Sequence, residues 1–120
     1  GRILLDDWTF ATAPFALATT TSGALSTPDV VATRDETFYV AWARANVTDL
    51  EVRGRGFLGD GSSAEADVQL GTFVPLGQRD STSPRLSASE RGVLAVWATQ
   101  HPDQPTQDVL SGTFLPRIVD

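Results

Sequence analysis

The 120-residue chain contains no cysteine, no methionine and no lysine, and His101 is its one histidine. Without cysteine it can form no disulfide, no thiolate nucleophile and no cysteine-ligated zinc site, and one histidine cannot build a three-histidine zinc centre. The chain has nine arginines and fifteen acidic residues, and its net charge is −6. Because phosphate neutralisation dominates nucleic-acid binding, this balance argues against nucleic acid as a partner. No apolar run approaches the roughly 20 residues of a membrane helix, so no membrane insertion is expected.

Two tandem copies of one strand-rich pattern occupy most of the chain. Proline opens a short apolar strand at Pro28 and again at Pro84, and an apolar strand ends on Trp42 and again on Trp97. The spacing predicts a repeat of about 56 residues, and a repeat of this kind largely decides the fold. Repeat 1 spans 28–77 and repeat 2 spans 84–120, within a single all-β unit over 1–120. Residues 1–27 are predicted to be the end of a preceding repeat, with its last strand near 15–19.

Each repeat is predicted to consist of short strands separated by turn residues, and no apolar stripe of helical spacing lasts three turns. The predicted strands of repeat 1 are 29–33, 38–43, 50–58 and 68–76; those of repeat 2 are 85–89, 93–98 and 109–115. Repeat 2 therefore lacks its last strand.

The second strand of each repeat is apolar on both of its faces. Since side chains alternate between the faces of a strand, a strand with one wet face would alternate with polar residues. This pattern predicts a sheet covered on both sides, as in the stacked four-stranded blades of a β-propeller. The predicted core residues are Phe38, Val40, Trp42, Phe57, Phe73, Ala95, Trp97 and Phe114.

The succession of proline, an aliphatic strand, a strand ending in Trp42 or Trp97, and Phe-Leu at Phe57 or Phe114 resembles the repeats of exported bacterial β-propeller proteins. It is loosely similar to sialidase-like and Kelch-like blades. The sialidase Asp-box and the Trp-Asp signature of WD40 blades are absent, so no activity is carried over from either family. The resemblance implies a secreted or cell-surface location, with any signal peptide outside the given chain.

Two blades cannot close a ring. The ring would be completed by further copies of the chain, three of which would supply six blades, or by other segments of a larger propeller. The rival fold is a β-sandwich of seven to nine strands.

Ligand binding is expected on loops held by the rigid sheets. In an up-and-down blade, the loops after the second and fourth strands share one rim. The candidate ligand-binding residues, mostly in these rim loops, are Trp8, Arg44, Asn46, Asp49, Arg79, Asp80, His101 and Asp103.

No coherent catalytic set is visible. His101 could act as the base of a catalytic triad, but the sequence has no Gly-x-Ser-x-Gly motif to supply the nucleophilic serine. The acidic segment that contains Asp60 and Asp67 lacks the spacing of a calcium-binding loop. No cofactor is expected, with calcium near Asp60 and Asp67 as the one alternative. The leading hypothesis is a non-catalytic module that binds a glycan or a cell-surface ligand, or acts as a scaffold. The alternatives are a subunit or fragment of a propeller-type hydrolase whose catalytic residues lie elsewhere, and a structural piece of a processed multi-chain assembly.

Overall fold

The computed structural model describes residues 1–18, 23–45, 49–63, 66, 68–75, 83–100 and 108–116. Their regular elements are β1 (Ala24–Ala32), β2 (Phe38–Ala45), β3 (Asp49–Phe57), β4 (Val68–Pro75), β5 (Arg85–Ser89), β6 (Gly92–Gln100) and β7 (Asp108–Pro116). These residues contain no helix, and accordingly none long and apolar enough to cross a membrane. The predicted all-β class is confirmed.

The strands form two antiparallel sheets in which neighbours along the chain are neighbours in space. Sheet 1 has the order β1-β2-β3-β4 and sheet 2 the order β5-β6-β7. The sheets do not close a ring. β1 begins at Ala24, five residues before the predicted start, and a register shift separates Ser26 from Asp29. Pro28, which has no N–H for the ladder, lies inside this shift, next to Thr27 at a φ of 47°, and a proline within a strand requires such an irregularity.

Sheet 1 is buried on both sides of its second strand, where Tyr39, Val40, Ala41, Trp42 and Ala43 are each at most 4% exposed. We call the side that carries Trp42 its tryptophan face; Phe38, Val40 and, on β3, Phe57 share this face through the strand register. We call the other side, with Tyr39, Ala41, Ala43 and Val52, its reverse face.

The two sheets stack through faces that are not equivalent. Val52 of the reverse face of sheet 1 forms one buried cluster with Ala95 and Trp97 of sheet 2, and Leu70 of β4 packs against it. Trp97 is the repeat equivalent of Trp42. The tryptophan face of sheet 2 therefore meets the reverse face of sheet 1.

The first 18 residues form an irregular hairpin, the N-terminal hairpin, which covers the tryptophan face of sheet 1. Its backbone bonds include Leu5 N to Thr9 O at 2.8 Å and Ala11 N to Ile3 O at 2.9 Å. Phe15, Leu17 and Ala18 pack on the buried cluster of Val40, Trp42 and Phe57. The chain thus stacks three layers in the order hairpin, sheet 1 and sheet 2.

Two sequence expectations differ from this structure. The strand expected near 15–19 is absent over 15–18, where Phe15 N donates to Gly1 O at 2.7 Å but no ladder continues along the segment; Thr19 lies outside the described residues. Phe114 is 52% exposed rather than part of the core. β7 pairs Leu115 with Val93 and Phe114 with Leu94, and a shift of one residue moves a side chain to the other face. The side chain of Phe73 lies outside the described part.

Candidate functional site

The predicted rim is only partly within the described residues. Asn46, Arg79, Asp80, His101 and Asp103 lie outside them, and Asp49 is described only by its backbone at the start of β3. The predictions for these six positions therefore stay predictions.

Arg44 lies at the rim end of β2, where it is part of an ionic cluster. Its Nη1 donates to Glu51 Oε1 at 2.5 Å, and Arg53 Nη1 approaches Glu51 Oε2 at 3.5 Å. Glu51 is only 5% exposed. Cross-strand register places Glu51 opposite Arg44, and a buried carboxylate needs such partners to offset its desolvation. Arg44 thus neutralises a buried acid in this structure.

Trp8 is the most exposed large apolar side chain among the described residues, at 80%. It lies in the turn of the N-terminal hairpin. The hairpin residues Ile3 and Phe15 approach Gly61 in the β3–β4 turn, and the chain then runs toward Trp42. Trp8 therefore lies toward the end of the sheets opposite to Arg44, so the structure does not bring these two candidates together.

The hairpin turn has the same geometry as the β3–β4 turn. Asp7 Oδ1 accepts from Thr9 N at 3.0 Å and Thr9 Oγ1 at 2.5 Å, and Asp60 Oδ1 accepts from Ser62 N at 2.8 Å and Ser62 Oγ at 2.6 Å. These hydrogen bonds hold the pKa of both carboxyls below the ordinary aspartate value.

The same two turns also agree in backbone conformation. Trp8 and Gly61 occupy the same position with φ of 68° and 87°. The likeness of 2–7 to 55–60 is visible in the sequence, but its extension through Trp8 is not, because tryptophan and glycine share no side-chain chemistry. The N-terminal hairpin therefore has the same kind of turn as the β3–β4 connection; that it ends a preceding repeat stays a prediction.

Asp60 uses a carboxylate oxygen within its own turn, and Asp67 lies outside the described residues. Within the described ranges, no group of three histidine, aspartate or glutamate residues could hold a metal ion.

An apolar groove runs between the N-terminal hairpin and β1. One part, of about 420 Å³, is lined by Phe15, Leu17, Leu25, Pro28 and Trp42 among others. An adjoining part of about 350 Å³ shares Phe15, Leu17 and Pro28 and extends to Val30. Sequence reasoning did not predict this groove, because it exists only where the hairpin leaves part of the tryptophan face uncovered.

The outer face of sheet 2 is the second apolar surface. It carries Leu94, Val96 and Phe114, which are 46%, 36% and 52% exposed. Strand pairing places Leu94 opposite Phe114, and Val96 opposite Gly112, so these side chains share one side of the sheet.

A polar cleft of about 210 Å³ joins the β1–β2 turn to the β5–β6 turn. Arg34 Nη1 and Glu90 Oε1 are 2.6 Å apart across it, with both side chains mostly exposed. These residues hold the same position in the two repeats, each two places after Ala32 or Ala88. Deeper between the layers, Leu86 N donates to Asp29 Oδ2 at 2.8 Å.

No protein-family model, no curated protein and no solved structure matches this chain significantly. The functional argument therefore depends on the geometry of the layers and on their exposed surfaces.

Proposed function

We propose that this chain is a non-catalytic β-propeller module that binds or scaffolds, with a glycan or another cell-surface molecule as its ligand. The observation that carries the proposal is that the layers stack in one sense. The reverse face of sheet 1 packs on the tryptophan face of sheet 2, and the hairpin packs on the tryptophan face of sheet 1. Repetition of one sheet in one sense is the construction principle of a propeller.

The residues at the two interfaces correspond. The matching turns align Leu17 with Leu70; Leu17 packs beside Trp42 as Leu70 packs beside Trp97. A sandwich, in contrast, buries the two inner faces of its sheets against each other and ends there. Packing through non-equivalent faces leaves a place for a further layer on either side, which favours the propeller over the sandwich.

The rim loops after β2 and β6 supply the candidate ligand surface, since binding residues concentrate on loops of rigid scaffolds. Asp49 and His101 are candidate binding residues at this rim, and Trp8 is the candidate at the opposite end of the layers. Polar loop residues such as Asp49 and His101 are suited to hydrogen bonds with the hydroxyl groups of a sugar, whereas Trp8 would serve a ligand only at the opposite end.

A glycan array with the intact chain tests the binding role. We expect a glycan signal that His101→Ala and Asp49→Ala abolish and that Trp8→Ala retains. Loss with Trp8→Ala alone would move the site to the opposite end of the layers. The absence of any glycan signal would overturn the carbohydrate-binding role.

Electron microscopy of the assembled protein tests the propeller itself. A closed ring of radially arranged sheets is the expected result. Particles that contain a single pair of packed sheets would overturn the propeller and support a sandwich.

A further inference from the structure

The reverse faces of the two sheets correspond in the repeat but differ in their cover. In sheet 1, Tyr39 and Ala41 are 4% and 1% exposed beneath sheet 2. Their equivalents in sheet 2 are Leu94 and Val96, which are 46% and 36% exposed. The same apolar face is thus covered in sheet 1 and exposed in sheet 2. Because the reverse face of sheet 1 packs on a tryptophan face, the order of the layers assigns the same kind of cover to the exposed face of sheet 2: a surface that carries Trp42 or its equivalent.

The groove beside Trp42 is the corresponding opening at the other end of the stack. Where the two sheets pack, β1 contacts β5, so the first strands of successive layers adjoin. A complete layer before sheet 1 would therefore place its own first strand over β1. The N-terminal hairpin instead covers the region of Trp42 and Phe57, and leaves Leu25 and Val30 on β1 45% and 62% exposed.

We propose that the outer face of sheet 2 in one copy of the chain packs into the groove between the N-terminal hairpin and β1 of a second copy, head to tail. The inference rests on the proposed scaffold role, in which layers of one repeat stack in one sense, and it names the surfaces and the partner. Leu94 and Val96 enter the groove in the way that the reverse face of sheet 1 covers Trp97.

The two surfaces are complementary fragments of one layer. Among the described residues, sheet 2 has three strands, whereas sheet 1 has a fourth that pairs with β3. The N-terminal hairpin has the turn of a β3–β4 unit and so corresponds to a part of a layer that is not among the described strands of sheet 2. A second copy is therefore a fitting occupant of the groove, because it presents the strands that the hairpin lacks.

Such an interface joins two different surfaces and is heterologous. Repeated around an axis it closes a ring, and without closure it extends as a filament. Each copy has one outer face and one groove, so blocking either surface stops growth at that end only. This property separates the proposed contact from a twofold dimer, in which one surface serves both partners.

Sedimentation velocity over roughly a hundredfold range of concentration tests the contact, since association by mass action depends on concentration. The wild-type chain is expected to form species heavier than the 12.8 kDa monomer. Val96→Asp blocks the outer face and Val30→Asp blocks the groove, so each variant alone is expected to remain monomeric. Val68→Asp is the matched control, since Val68 is 43% exposed on neither surface.

The decisive experiment mixes the two blocked variants, Val30→Asp and Val96→Asp. The outer face of Val30→Asp and the groove of Val96→Asp are both intact, so an equimolar mixture is expected to form a dimer and nothing larger. An unchanged far-UV spectrum shows that each variant is folded. A wild-type chain that is monomeric throughout, a mixture that stays monomeric, or equal loss of assembly in Val68→Asp would overturn the inference. Glycan binding by a monomer would leave the proposed binding role intact while this contact failed.

Discussion

Sheet 1 and sheet 2 are built on the same pattern, yet their surroundings differ. Trp42 and Trp97 are both 4% exposed, although an irregular hairpin covers one and a regular sheet covers the other. The indole N–H of each is buried without a hydrogen-bond acceptor among the described residues. On the opposite faces the likeness ends, since Tyr39 is buried beneath sheet 2 and Leu94 is exposed.

The comparison teaches that burial of a strand face in this chain depends on the adjacent layer more than on the strand itself. β2 and β6 are both apolar on both faces, but only β2 has a layer on each side. Apolar surface left open in this way contributes nothing to stability until it is covered.

The largest expected effect is that of removing each tryptophan. Trp97→Ala should lower the free energy of unfolding by about 3 to 5 kcal/mol, because a large cavity opens between two regular sheets. Trp42→Ala should cost less, because the irregular hairpin can collapse into the space. Urea denaturation of both variants measures the difference. An equal or larger loss for Trp42→Ala would mean that the hairpin is as rigid as a sheet.

A second pair compares glycines at equivalent strand positions. A Cβ on Gly54 would lie 2.8 Å from Leu70 Cδ1, in the packed interface between the sheets. Gly54→Ala should therefore cost about 1 to 3 kcal/mol through overpacking. Gly112 lies on the outer face of sheet 2, where its nearest contacts would be 3.1 Å or longer. Gly112→Ala should change stability by less, and thermal unfolding of the two variants checks the order.

The two equivalent turns offer a third pair. Trp8 adopts a left-handed conformation with φ of 68°, which costs a non-glycine residue roughly 1 to 2 kcal/mol. Trp8→Gly should therefore strengthen the hairpin, whereas Gly61→Ala should weaken the β3–β4 turn by a similar amount. Hydrogen exchange of the Leu5 and Leu58 amides reports on each turn separately. Faster exchange at Leu5 in Trp8→Gly would contradict the strain argument.

The smallest expected effect is on acid stability. Because hydrogen bonds lower the pKa of folded Asp7 and Asp60, their contribution is present above the unfolded pKa and is lost as the pH falls through the folded value. Stability should thus decline with acid below about pH 4, and Asp7→Asn or Asp60→Asn should make that decline shallower. Urea midpoints measured across this range test it. An unchanged pH slope in both variants would count against these turns as acid-sensitive points.

The sequence predicted the local elements of the fold more closely than their surroundings. The expected strand at 85–89 coincides with β5, and the bounds of β2, β3, β4, β6 and β7 differ from the predicted ones by at most two residues, because alternation and turn residues are local signals. The start of β1 differs by five residues, and the strand expected near 15–19 is absent over 15–18. The sequence prediction for Phe114 is wrong, because matching Phe57 to Phe114 shifts the register by one residue and puts Phe114 on the wrong face. The strand pairing instead matches Phe57, opposite Phe38, to Leu115, opposite Val93.

The candidate site was less predictable than the fold. The sequence identifies Arg44 as a polar residue near a loop, but its ion pair with Glu51 depends on the register of β2 and β3. The groove depends on how far the hairpin covers β1, which no local pattern encodes. Layer contacts of this kind join residues far apart in the chain, whereas periodicity describes only near neighbours.

The bond between Arg34 and Glu90 has a consequence at each junction between copies. Equivalent positions in the two layers carry opposite charges, so head-to-tail stacking would place Glu90 of one copy beside Arg34 of the next. Each copy contributes one residue of each sign, and the two signs would therefore alternate along one edge for any number of copies. An exposed pair of this kind is worth at most about 1 kcal/mol. Repeated along the edge, these pairs favour head-to-tail stacking over head-to-head stacking, which would bring like charges together.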